Sequence, residues 1–280
     1  MSAPREAGEQ VAGVDEYRFI GDAAVLESRG LFVAEGRFVV ERLVALGTYT
    51  IRSLLLSPSA ARQLAATLAA LDSGVPVFVR ELPALAAIAG YNIHRGCLAL
   101  AERPEPRGLE TLTAAAGPLV VLEGVGNPDN VGSVFRNAAA FGAAGVLLSP
   151  ACADPLYRKA IRTSMAAALR VPFVRAGAWP APLAALKASG IAIVALTAGE
   201  PSVDLEEFAA ALPPRIALLV GSEGEGLSEA ALALADVRVR IPIAEAVDSL
   251  NLATAAAIAL YRLAPPTAAG ARSGTSTTLT

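Results

Sequence analysis

Leu218-Leu219-Val220-Gly221-Ser222-Glu223-Gly224-Glu225-Gly226-Leu227-Ser228 is an apolar run, then a polar turn holding three glycines, then a serine placed to cap a helix. A short apolar run bounded by turn residues reads as a fully buried strand. A strand that ends in such a turn and restarts as a helix is the unit from which α/β proteins build ligand sites at the carboxyl ends of their strands. Two other segments have the same build. Upstream, Asn127-Pro128-Asp129-Asn130-Val131-Gly132 follows an apolar run and continues to Arg136 and Phe141-Gly142. Downstream, Ile241-Pro242-Ile243 and Asp248-Ser249-Leu250-Asn251-Leu252 lead into an apolar helix pattern over Ala253–Tyr261.

Outward from these segments, apolar runs and helical patterns alternate. Strands are expected over 119–122, 145–148, 171–174, 191–196, 216–220 and 237–241, and helices over 131–141, 157–165, 182–188, 228–234 and 252–263. Such alternation predicts a parallel sheet covered on both faces. Residues 17–101 form a smaller α/β domain, with strands over 31–34, 51–56, 75–79 and 97–100 and helices following Gly36, over 60–71 and over 81–89. Residues 102–117, with Arg103-Pro104-Glu105-Pro106-Arg107-Gly108, read as a linker, and the larger domain occupies 118–264. The first sixteen residues read as frayed, and the small, polar tail 265–280 as disordered. The fold class is therefore α/β: a C-terminal parallel-sheet domain plus a smaller N-terminal α/β domain.

Composition narrows the function. A chain of 280 residues with 54% hydrophobic content is long and apolar enough for a sizeable core. No window supplies the roughly 18 uninterrupted apolar residues of a membrane-spanning helix, and the N-terminus lacks the apolar core of a secretory signal, so a soluble cytoplasmic protein is expected. Cys97 and Cys152 have no metal-ligand spacing and read as buried thiols, and no metal is expected. The single histidine, His94, weakens any histidine triad or zinc site. The net charge of −3 argues against a surface coated with phosphate-binding groups, but 8 Arg stand against 6 Asp+Glu between Tyr17 and Ala101, so the front domain is the more basic.

Neither glycine-rich turn is a nucleotide fingerprint. Gly124-Val125-Gly126-Asn127 lacks the third glycine of a dinucleotide site, and the 221–228 turn lacks the Gly-Lys-Ser/Thr ending of a phosphate loop. By spacing alone, Asn130 and Arg136 read first as a capping asparagine with a solvated arginine, and otherwise as two groups facing one cleft. Ser249 and Asn251 precede a helix as ordinary caps do. Glu223 lies between residues that allow close backbone approach to a ligand. Arg158 and Arg162, one helical turn apart, form the densest basic track, suited to a sugar-phosphate backbone or simply to solvent.

Jointly these segments resemble the SpoU/TrmH-type RNA ribose 2′-O-methyltransferases of the SPOUT superfamily. Asn130, Gly132, Arg136, Phe141 and Gly142 match the family's first motif at its spacings; Gly221-Ser222-Glu223-Gly224-Glu225-Gly226-Leu227-Ser228 matches the second; Ile241-Pro242 with Ser249-Leu250-Asn251 matches the third. Ala166, Ile243 and Ala246 depart from the common glycine, methionine and glycine. Residues 17–101, with Phe32-Val33-Ala34-Glu35-Gly36 as the signature start, resemble the L7Ae/L30e-like RNA-binding module.

The resemblance implies S-adenosylmethionine as cofactor, bound in a C-terminal trefoil knot chiefly by backbone groups at Thr197, Ala198, Gly199, Leu219, Val220, Gly221, Glu223, Ile241, Ile243, Ser249 and Leu250. It implies Arg136, Asn130, Glu223, Ser249 and Asn251 as the catalytic set, and a homodimer through the C-terminal domain. Arg136, Arg158 and Arg162 are the expected RNA contacts. The expected reaction is methyl transfer to a ribose 2′-hydroxyl of structured RNA, ribosomal in preference to transfer RNA. A catalytically inactive RNA-binding protein is the alternative.

Overall fold

A computed structural model describes residues 13–91, 93, 96–244, 246–247 and 249–263. His94 and the tail 265–280 lie outside the described residues. The chain divides into two compact units. The first takes the chain up to Arg107 together with Gly126–Arg136 and Ala153–Arg170, and the second takes Gly108–Val125, Asn137–Cys152 and the chain from Val171 onward. One boundary, between Arg107 and Gly108, falls within the proline-rich stretch 102–117. The interleaving beyond it has no sequence signal, because it depends on which sheet a helix packs against.

The first unit contains strands β1 (Leu31–Glu35), β2 (Ile51–Leu56), β3 (Val77–Val79) and β4 (Cys97–Glu102) in the order β1-β4-β2-β3. β4 runs antiparallel to both β1 and β2, and β3 runs parallel to β2. Its core gathers Tyr17, Ile20, Leu26, Val33, Leu55, Leu85, Leu98 and Leu100. The N-terminal segment is not frayed from Gly13 onward: Val14 and Tyr17 are buried, and the Tyr17 hydroxyl donates to the Ser53 carbonyl at 3.0 Å. Polar neighbours in sequence concealed this anchor. The helix expected over 60–71 is two, Pro58–Gln63 and Ala65–Ala69, meeting at the fully buried Leu64.

The second unit contains β5 (Leu119–Leu122), β6 (Gly145–Leu148), β7 (Phe173–Arg175), β8 (Ala192–Leu196), β9 (Val203–Asp204), β10 (Ile216–Val220) and β11 (Val237–Arg240). The order is β7-β6-β5-β10-β8-β11-β9 and every pairing is parallel. β5, β6 and β10 are buried along their whole length, as central parallel strands must be when helices cover both faces. β9 has two residues, too few for any pattern to be read. β10 enters late in the chain between β5 and β8. Strand order thus departs from chain order at β10, which places the ends of β8, β10 and β11 side by side.

Candidate active site

In the second unit, the loops leaving β8, β10 and β11 and the entry to the last helix, Leu252–Leu263, enclose a cleft of about 560 Å³. Thr197, Ala198 and Gly199 line it from β8, Val220, Gly221 and Glu223 from β10, Ile241 and Ile243 from β11, and Ser249, Leu250 and Asn251 from the helix entry. Leu219 does not. Its side chain is buried in the core with Ala217, Leu119 and Val121, because a strand turns alternate residues to opposite faces. Leu196, Ser222, Gly224, Glu225, Gly226, Leu227, Leu252 and Ala255 complete the walls. Ser222, Gly224, Glu225, Gly226 and Leu227 belong to the second motif itself, whereas nearness in sequence to expected site residues was the only signal for Leu196, Leu252 and Ala255.

The 221–228 loop is folded on itself. Ser222 and Gly226 exchange main-chain hydrogen bonds of 3.2 and 3.1 Å. Gly224 and Gly226 have φ of +101° and +69°, conformations that disfavour a side chain. At Gly221 a Cβ would stand 2.3 Å from the Gly226 carbonyl. Glu223 accepts hydrogen bonds from Asn251 Nδ2 (2.8 Å) and from the Leu252 amide (3.4 Å). Asn251 Oδ1 in turn accepts from the Ala253 and Thr254 amides at 3.0 and 3.2 Å, which makes it the N-cap of the last helix. A carboxylate at that end also meets the positive end of the helix dipole. The second and third motifs are therefore physically one structure.

The first motif runs along the helix Pro128–Ala140, with its Phe141 and Gly142 in the turn that follows. The helix begins three residues before the expected Val131, since Asn127 Oδ1 accepts from the Asp129 amide (2.9 Å) and Pro128 opens the helix, a position where proline costs no hydrogen bond. Asn130 is consequently inside the helix and buried, whereas Arg136 is exposed. Six residues at about 100° each put the two side chains on different faces, so the helix does not point both at one cleft. Gly132 is a packing residue. A Cβ there would lie 2.5 Å from the Ala160 carbonyl oxygen and 3.0 Å from Thr163 Cβ. Thr163 Oγ1 closes the same contact by donating to Asp129 at 2.7 Å.

Residues 117–261 match the SpoU rRNA methylase family. The chain belongs to that family. It is an RNA methyltransferase. An uncharacterized tRNA/rRNA methyltransferase of Mycobacterium tuberculosis is 44% identical over 235 residues, which is 83% of this chain and 80% of that one. An rRNA methyltransferase from Sinorhizobium meliloti with AdoMet bound has a similar structure, with a TM-score of 0.76 and 26% identity over 89% of this chain and 93% of that one. A chain described as an RNA 2′-O ribose methyltransferase gives a TM-score of 0.70 and 26% identity, over 92% of this chain and 95% of that one.

One expectation about this methyltransferase changes at the side-chain level. Arg158 is not a free basic surface group: its guanidinium bonds Glu35 at 3.0 Å and covers the Tyr91 ring at 4.2 Å, with 15% of the side chain exposed. Arg162, about half exposed, reaches the same carboxylate at 3.9 Å. A carboxylate 123 residues away in sequence gave no hint of this pairing. Ala166 has φ +66°, and Met165 before it φ +53°, so the glycine common at position 166 is explained by backbone geometry. Cys97 and Cys152 are unpaired and buried, and burial pushes the Cys97 thiol up to about 12. Among the described residues no group of three acidic, histidine or cysteine side chains could hold a metal, and no helix is long and apolar enough to cross a membrane.

Proposed function

We propose that this methyltransferase moves a methyl group from S-adenosylmethionine to a ribose 2′-hydroxyl of structured RNA, ribosomal in preference to transfer RNA. The cleft formed by the second and third motifs carries the reading. Its volume of about 560 Å³ falls in the range of small-molecule sites. Its walls combine main chain of the 197–199 and 220–227 loops with the apolar Leu196, Leu227, Ile241, Ile243 and Leu250. That mixture suits a nucleoside, whose base needs apolar faces and whose edges need backbone donors and acceptors. S-adenosylmethionine bound there supplies an electrophilic methyl group on a sulfonium.

The protein's own groups then have distinct tasks. Glu223 and Asn251 hold the loop and the helix entry in one geometry, and Ser249 and Leu250 complete the wall. Arg136 grips a phosphate of the RNA; a guanidinium, which stays protonated, suits that task better than proton abstraction. Asn130 braces the same helix. The 2′-hydroxyl loses its proton as the carbon–oxygen bond forms, and the phosphate held by Arg136 lies close enough in RNA to take part. The family match, the similarity to a 2′-O ribose methyltransferase and a sequence whose single histidine falls outside all three motifs support this chemistry.

The same reading includes a homodimer through the second unit, an RNA-binding role for the first, and a knotted C-terminal chain. Exposed Ile258 and Tyr261 on the last helix favour the dimer, and the insertion of β10 between β5 and β8 favours the knot. Incubation with ribosomal and transfer RNA and methyl-labelled S-adenosylmethionine tests the reaction. Label in alkali-resistant dinucleotides is the expected result; label elsewhere, or none, overturns ribose transfer. Arg136→Ala is expected to abolish labelling while cofactor binding stays within about twofold of wild type. Retained turnover would remove Arg136 from the mechanism.

A further inference from the structure

Beside the cleft, and outside all three motifs, lies a carboxylate that the mechanism does not use. Glu123 follows β5 directly and is 8% exposed. Three donors converge on it. Trp179 Nε1 and Ser228 Oγ donate to Oε1 at 2.5 and 2.6 Å, and the Ser228 amide donates to Oε2 at 3.0 Å. The Ser228 hydroxyl is the donor here, because a carboxylate oxygen only accepts, and it accepts in turn from the Ala231 amide at 3.2 Å as the cap of the helix Glu229–Leu232. The Glu123 amide, meanwhile, donates to the Val220 carbonyl at 2.9 Å. One residue thus fastens both feet of the loop: its main chain takes the end of β10 where the loop leaves, and its side chain takes Ser228 where the loop returns.

We propose that Glu123 is a positioning residue of the methyl-donor site, stapling the Gly221–Leu227 loop shut at its base so that the cleft exists before the cofactor arrives. The proposal rests on the reading of the cleft as the S-adenosylmethionine site. The requirement for a carboxylate is stereochemical. Three donors need an acceptor-only group at both oxygens, and a glutamine of the same shape offers one acceptor and directs an N–H₂ at donors. The tip of the loop is held separately, by Glu223 on Asn251. A broken staple therefore loosens the base of the loop and leaves the helix cap in place. Trp179, the only tryptophan of the chain, reports on the staple because its indole N–H ends on the same oxygen as the Ser228 hydroxyl.

Hydrogen exchange of Glu123→Gln and wild type, with no cofactor added, tests the staple by itself. Amides of residues 221–228 are expected to exchange at least about tenfold faster in the variant, with β6 and β8 unchanged and with altered Trp179 emission. Calorimetry with S-adenosylmethionine then tests the consequence: an affinity lower by about tenfold or more, with kcat at saturating cofactor within about threefold of wild type. Glu123→Asp, which restores a carboxylate on a shorter arm, is expected to recover part of both. Ser228→Ala, which removes the hydroxyl and keeps the amide, gives an intermediate loss and replaces the glutamine variant if that variant does not fold. Unchanged exchange at 221–228 overturns the staple. Faster exchange with unchanged affinity overturns its role in the donor site. Wild type that fails to bind S-adenosylmethionine overturns the reading of the cleft instead, and the exchange result still stands.

Discussion

Gly132 and the thiol of Cys97 show how much rests on single atoms. In the first motif Gly132 is a spacer between elements; it lets the helix Pro128–Ala140 approach Ala160 and Thr163 closely. A Cβ added at this position would stand 2.5 Å from the Ala160 carbonyl oxygen, and no side-chain rotation relieves that clash, since the obstacle is main chain. Gly132→Ala is expected to destabilise the protein by about 1–3 kcal/mol and lower Tm by roughly 3–10 °C in thermal melts. A Tm equal to that of wild type would contradict this packing. Cys97 is buried with a pKa pushed up to about 12 by desolvation, against an ordinary value of 9.0. Burial likewise raises Tyr17. Well below pH 9.0 the thiol is protonated in the folded and unfolded chain alike and contributes nothing to the pH dependence. Between pH 9.0 and about 12 the unfolded chain releases the thiol proton and the folded chain keeps it. Stability therefore falls as pH rises, by up to about 1.4 kcal/mol per unit for the thiol alone. Chemical denaturation at a series of pH values from about 8 to about 11 checks the sign; constant stability across that range would remove Cys97 as a contributor.

At the scale of elements, the last helix and the glycine loop depend on each other. Asn251 caps the helix Leu252–Leu263 with its oxygen and holds Glu223 with its nitrogen. Asn251→Ala removes both, at a cost of about 1–2 kcal/mol for the cap. An affinity for S-adenosylmethionine lower by about tenfold is expected in addition, from the released Glu223, and calorimetry beside thermal melts separates the two effects. Affinity equal to wild type would mean that the loop keeps its shape without this tie. The helices of the first unit carry a different lesson. The pattern of Arg158 and Arg162 one turn apart is equally that of a basic track and of an internal brace, and the structure makes Arg158 the brace by burying it on Glu35 and Tyr91. Charge spacing along a helix fixes only which side chains share a face. What that face meets is decided by another element.

For the whole molecule, most of the α/β organisation was legible. β5, β6 and β10 fall where the apolar runs predict them, and the glycine and asparagine turns mark the ends at which the cleft forms, because burial on both faces and left-handed turns leave strong local signatures. The residues of the three motifs were legible as a set, by resemblance, with none of their contacts in view. Other features were decided only by the tertiary structure. Strand order is one, since β10 pairs with β5 and β8 and not with its neighbour in sequence. The inward turn of Leu219, the opposite exposures of Asn130 and Arg136, and the convergence of Trp179 and Ser228 on Glu123 are others. Hydrophobic period and turn chemistry are properties of neighbouring residues, so the sequence by itself determined the elements and the loops between them. Hydrogen bonds and ion pairs that span 105 or 123 residues exist only once those elements have packed, and a buried polar group takes whichever partner packing delivers.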